Sequence, residues 1–218
     1  VNSDYTKWQA GHNSEVSNAA CAPSYVEFNN DVNAYYIHWL ANNNIKVDGQ
    51  SGTQIPVDFI NYSTKTPCDT NFIKWHAVVD HIDINYADIN FRTNDIGEAY
   101  WWAGKNIDID KSNIYFADSG KVNGSGYTEW KAGVDILMDD SKVDFYHDGW
   151  GNNGNPLFTG APSGNQKWYA GQNIIATRTP IDFLNFDTLG NAVSNQNGYI
   201  WWNAKAGDIV TQHYSPTN

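Results

Sequence analysis

Six apolar-x-Phe triplets recur along this chain, and the residues at their centres offer the first chemistry in the sequence. The central residues are Glu27, Asp58, Asn90, Tyr115, Asp144 and Asp182. If successive triplets lie side by side, Glu27 meets Asp58 and Asp144 meets Asp182. Such like-charge pairs cost energy unless a lysine or a cation relieves them. Asp144 and Asp182 are therefore candidate Ca2+ ligands, and a solvated acidic face is the plainer expectation. Asp139-Asp140-Ser141 and Asp108-Ile109-Asp110 also resemble ligand runs. Neither sits in a twelve-residue Ca2+ loop or a GGxGxD repeat, so both read as turns. The histidines (His12, His38, His76, His81, His147 and His213) follow no HExxH or other metal spacing. No GxSxG, phosphate loop or GxGxxG is present. No catalytic residue is expected, and no cofactor other than a candidate Ca2+.

Aromatic residues supply the second kind of chemistry. Seven of the ten tryptophans stand in a Trp-x-Ala pattern, which puts Trp and Ala on one face of a strand and reads as core. Where aromatics are adjacent, one must face the other way. Tyr100 and Trp201 are therefore candidate ligand-binding residues, and so is Trp150, in a long Gly/Asn loop over 147–166. An enzyme acting on carbohydrate would need two carboxylates roughly 5–9.5 Å apart in a groove. Acidic residues are plentiful enough for chance pairs, and the only arginines, Arg92 and Arg178, lie far apart. Ice binding would need a Thr-x-Thr ladder, and Thr177-Arg178-Thr179 is a single instance. Asn61-Tyr62-Ser63 and Asn123-Gly124-Ser125 match the N-glycosylation pattern.

Charge and composition narrow the partners. Acidic residues number 24 against 13 basic, a formal net charge of −11. That field disfavours nucleic acid, anionic membranes and polyanionic substrates, and no Lys/Arg cluster along the chain counters it. No segment approaches the roughly 18 apolar residues of a membrane helix, so no membrane insertion is expected. Asn, Asp, Gly, Trp and Tyr are abundant while Met, Arg and Leu are scarce, which suggests an extracellular or cell-surface β protein. Cys21 and Cys68 allow one disulfide, or remain two small buried thiols. The chain begins at Val1, which suggests a processed product or an excised fragment.

The repeat supplies the elements that position these groups. The Trp-x-Ala motifs begin at Trp8, Trp39, Trp75, Trp101, Trp130, Trp168 and Trp202. After each of the first six comes an apolar-x-Phe triplet. Between the two motifs, five residues after Trp, stands Asn or Asp, followed by a short alternating run such as "NIKV" or "NIDI". The third unit slips by one residue, with "HIDI" ending at Ile84. Each unit therefore holds three short strands with period-two alternation. Insertions fall mainly after Phe, as loops on stacked units do.

Three strands per unit predict an all-β fold, a right-handed parallel β-helix of about six to seven three-stranded rungs filling residues 1–218 as a single solenoid domain. A β-propeller is the alternative, although its four-stranded blades usually need about 40 residues. Trp, Ala, the paired apolar residues of the second strand and Val/Ile and Phe of the third are predicted core. Lys7, His38, Lys74, Glu129 and Lys167, each preceding Trp, are predicted to face water. Pro56 is at odds with a strand interior. The motifs run close to both ends, which suggests a piece of a longer stack or end-on self-association.

"WWAGKNIDIDKSNIYF" and "WYAGQNIIATRTPIDF" resemble rungs in the β-helical passenger regions of bacterial surface autotransporters. The similarity is to the vacuolating-cytotoxin-like proteins and the haemagglutinin-type adhesins, and it covers nearly the whole chain as repeat style. This chain is richer in Trp than such passengers, and its two Cys are far apart. The resemblance implies a secreted or surface-exposed scaffold or adhesin. Its partners would be a host-surface glycan or protein, or further copies of itself, and it carries no catalytic constellation across. The alternative function is that of a carbohydrate-active β-helix enzyme, a polysaccharide lyase or glycoside hydrolase.

Overall fold

A computed structural model describes residues 5–17, 26–30, 36–51, 54–61, 71–93, 97–118, 126–148, 164–186 and 200–212. Its strands, numbered in chain order, form three parallel sheets. The first holds β1 (Tyr5–Ala10), β4 (Tyr36–Ala41), β7 (Asn71–Ala77), β10 (Gly97–Ala103), β13 (Gly126–Ala132), β16 (Gly164–Ala170) and β19 (Ile200–Ala204). The second holds β2 (Ser14–Ser17), β5 (Ile45–Asp48), β8 (Ile82–Asn85), β11 (Ile107–Asp110), β14 (Ile136–Asp139), β17 (Ile174–Thr177) and β20 (Ile209–Gln212). The third holds β3 (Val26–Asn30), β6 (Ile55–Asn61), β9 (Ala87–Thr93), β12 (Asn113–Asp118), β15 (Lys142–Asp148) and β18 (Ile181–Phe186). Every third strand pairs with the next, so the units stack in a line as rungs of a parallel β-helix and do not fan around an axis as propeller blades would.

Register follows from the motif. Trp39 pairs with Trp75, Trp75 with Trp101, Trp101 with Trp130 and Trp130 with Trp168. All five of these indoles are fully buried. Their ring centroids fall 4.7, 5.1, 4.7 and 4.5 Å apart along the column. The last two steps are nearly coplanar, at 6° and 1°. Phe59, Phe91 and Phe116 form a second column at 5.2 and 4.8 Å, packed against the indoles. Isoleucine and valine pairs such as Ile45/Val47, Ile82/Ile84 and Ile107/Ile109 close the third side. Burial of each large apolar side chain contributes about 1.5–3 kcal/mol. The column also carries a cost, because Nε1 of Trp75 and of Trp101 has no acceptor, whereas Trp39 donates to Ser14 Oγ at 2.6 Å. Trp8, covered on one side only, is 42% exposed.

Side chains also stack at the corners. Between the first and second sheets, the side chain of one rung accepts a backbone N–H from the next. Asn13 Oδ1 accepts from Asn44 N, Asn44 Oδ1 from His81 N, Asn106 Oδ1 from Asp135 N, Asp135 Oδ1 from Asn173 N, and Asn173 Oδ1 from Asp208 N. This is what the Asn or Asp five residues after Trp does in the first, second, fourth, fifth and sixth units. Between the second and third sheets, Tyr86, Lys111, Asp140 and Arg178 take φ of 46, 46, 48 and 49°. This left-handed turn is costly for residues with a Cβ. The hydroxyl that follows it repays the turn with hydrogen bonds: Ser112 Oγ accepts from Ala87 N, Ser141 Oγ from Ser112 N, and Thr179 Oγ1 from Ser141 N.

Pro56 also finds an account. In a parallel pair, alternate residues bond to opposite neighbours. Ile55 donates to Tyr86 O on the β9 side, so the position of Pro56 faces β3. The described pairing on that side begins one residue later, at Val26 and Val57. His38, Lys74, Glu129 and Lys167 lie on the outer face as predicted, but each is half-buried by its neighbours. Cys21, Cys68, Trp150, residues 149–163 of the long loop, and the tripeptides after Asn61 and around Asn123 lie outside the described residues.

Candidate functional site: an aromatic and cationic face

Alternation sends Trp and Ala of the first sheet inward and their neighbours outward. One outer row runs His38, Lys74, Tyr100, Glu129, Lys167 and Trp201. The other runs Leu40, His76, Trp102, Lys131, Tyr169 and Asn203. Trp102 lies at the middle. Lys74 Nζ sits 3.4 Å from its ring centroid, and Lys131 Nζ sits 5.7 Å away. The indole Nε1 donates to Glu129 Oε1 at 3.0 Å. Tyr100 and His76 each meet the ring edge-on at 5.7 Å, and His38 stacks on His76 at 6.4 Å. Burial holds the Lys74 ammonium below its ordinary pKa, and the Lys131 charge adds to this while Glu129 opposes it. Burial, then the Lys74 charge, lowers His76 as well. Trp201, 48% exposed, meets Tyr169 edge-on at 5.3 Å and neighbours Lys167 in register.

Charge is segregated around the solenoid. The described outer side chains of the first sheet include Lys74, Lys131 and Lys167 against Glu129. The second sheet presents Glu15, Asp48, Asp83, Asp108, Asp110 and Asp139 against Lys46. The third presents Asp58, Asp88 and Asp144 against Lys142. The sequence carries no Lys/Arg cluster, but the register brings Lys74 and Lys131 to either side of Trp102. Trp102 was legible from the same alternation that singled out Tyr100 and Trp201, because Trp101 before it belongs to the core.

The carboxylate pairs are mostly answered by nearby side chains. Asp144 and Asp182 are register partners, and Lys142 Nζ lies 2.7 Å from Asp144 Oδ2. Asn90 Nδ2 donates to Asp58 Oδ1 at 2.7 Å. Arg178 holds Asp139 at 2.6 Å. Asp83 and Asp108 are register partners on β8 and β11. Burial first, then the Asp108 charge, pushes the Asp83 carboxyl up. Among the described residues, the group able to hold a metal ion is His81, Asp83 and Asp108; the sequence offered Asp108 as ligand-like but read it as a turn, whereas it lies in β11, and His81 and Asp83 were not singled out as ligands. No known protein family, curated protein or solved structure matches this chain.

Proposed function

We propose that this protein is a secreted or surface-exposed β-solenoid scaffold that binds acidic glycans through the outer face of its tryptophan sheet. The observation that carries this reading is the placement of Lys74 and Lys131 around Trp102, on the one face where described lysines outnumber acids. Aromatic rings offer apolar surface to the C–H faces of sugars, and ammonium groups offer charge-assisted bonds to carboxylate or sulfate. The acidic second and third sheets would turn the same ligand away, which orients binding to the first. The rungs' resemblance to autotransporter passengers supports the surface setting.

A glycan array carrying neutral and acidic sugars tests this, run alongside a reducing-sugar assay. The expected result is salt-sensitive binding of acidic glycans without turnover. Replacing both lysines, Lys74→Gln with Lys131→Gln, is expected to weaken it about tenfold, or roughly 1.4 kcal/mol. Binding confined to neutral glycans, or unchanged in the double variant, would overturn the reading. Turnover would move it to the carbohydrate-active enzyme.

A further inference from the structure

We propose that His81, Asp83 and Asp108 form a binding site for a divalent transition-metal ion of the zinc class, linking the third rung to the fourth on the second sheet. Three observations converge on it.

The first is that His81 interrupts a structural series. It occupies the corner slot that Asn13, Asn44, Asn106, Asp135 and Asn173 use to accept the next rung's N–H. Its own N–H is held by Asn44, but its ring passes no such bond on to Asn106. The ring turns to carboxylates instead, with Nε2 3.0 Å from Asp80 Oδ1 and Nδ1 3.2 Å from Asp108 Oδ2.

The second is orientation. In the tautomer that carries its hydrogen on Nε2, 3.0 Å from Asp80 Oδ1, the Nδ1 lone pair faces Asp108 Oδ2 at 3.2 Å. Two acceptors then face each other unless a proton or a metal ion lies between them. A carboxylate behind the distal nitrogen of an imidazole is the arrangement that fixes a metal-binding histidine. Lys105 Nζ also lies 2.9 Å from Asp80 Oδ1.

The third is charge. Asp48, Asp80, Asp110, Asp139 and Asp144 each have a lysine or arginine within ion-pair distance. Among the described residues none pairs with Asp83 or Asp108, although these two stand side by side in register. The ligand atoms of the three residues all lie within 4.8 Å of one another. Metal–ligand bonds of about 2.0–2.2 Å put the ligands of a tetrahedral ion roughly 3.4 Å apart. The His81–Asp108 edge, at 3.2 Å, already has about that length, and an Asp83 oxygen lies within 4.8 Å of both. One imidazole with two carboxylates suits Zn2+ and its neighbours, whereas Ca2+ and Mg2+ prefer oxygen alone.

The test is titration of the metal-stripped full chain with Zn2+, and in parallel with Ca2+, followed by calorimetry and thermal unfolding. One Zn2+ per chain is expected, with a raised unfolding midpoint because the ion binds the folded stack. Ca2+ at equal concentration is expected to produce no shift. His81→Asn restores the residue type the other rungs use, so it is expected to fold normally and lose at least 100-fold in Zn2+ affinity. Asp108→Asn is expected to match that loss, and Asp80→Asn to cost about 10–100-fold by releasing the ring. No Zn2+ uptake, uptake unchanged in His81→Asn and Asp108→Asn, or equal response to Ca2+ would each overturn the proposal.

Discussion

Trp101→Ala is expected to destabilise the fold by about 3–5 kcal/mol, with loss of much of the near-ultraviolet circular dichroism. Trp101 is fully buried. It stacks on Trp75 at 5.1 Å and on Trp130 at 4.7 Å, and meets Phe91 edge-on at 5.4 Å. Alanine would remove the indole's burial and open a cavity that neighbouring rungs can close only by giving up their hydrogen-bonded spacing. Each lost aromatic pair adds about 0.5–1.5 kcal/mol. Trp201→Ala makes the control: with its ring 48% exposed, its cost is expected to stay within about 0.5 kcal/mol. Denaturant midpoints for the two variants measure the contrast. Equal and small effects would mean that the indole column is not the core.

The second large effect is expected at Gly133. A Cβ there would collide with the carbonyl oxygen of Gly104 in the rung below, and a Cβ at Gly171 would collide with that of Gly133. Both obstacles are backbone and cannot rotate away. Gly133 N also donates to Ala103 O at 3.1 Å, so moving the corner sacrifices a bond between rungs. Gly133→Val is expected to cost about 1–3 kcal/mol or more. Lys131→Gln, two residues away on the outer face, is expected to cost little. Urea unfolding of the two variants checks this, and a valine tolerated without loss would show that the corners are looser than described.

The rung itself was legible because its signals are local. Trp and Ala two apart, and Val/Ile and Phe two apart, can share one face only in a strand, and their recurrence fixes which strands are neighbours. Trp8 departs from the pattern because an indole at the first described rung has a described partner on one side alone. The corner hydroxyls were harder to read. Ser112, Ser141 and Thr179 look like turn punctuation, yet they are buried acceptors for backbone N–H groups, and only the left-handed turn before each reveals that role.

Both candidate clusters depend on register across loops of different length. Lys74 and Lys131 come from rungs separated by one other, and no local pattern brings them together over Trp102. His81 was visible as a one-residue slip in the third unit. Its meaning needed Asp108, which joins it from the following rung. The Asp144/Asp182 pairing was readable from the triplets, but the relief supplied by Lys142 was not, because its reach back to Asp144 is a matter of side-chain conformation.

In-register stacking underlies all of this, and cross-linking tests it most directly. Asn90 and Tyr115 face outward as direct partners on β9 and β12. Adjacent strands lie about 4.8 Å apart, within disulfide reach. With Cys21 and Cys68 replaced by serine, the pair Asn90→Cys and Tyr115→Cys should oxidise readily to an intramolecular disulfide seen by mass. The diagonal pair Asp88→Cys and Tyr115→Cys should not. Equal cross-linking of both pairs, or of the diagonal pair alone, would contradict the stack.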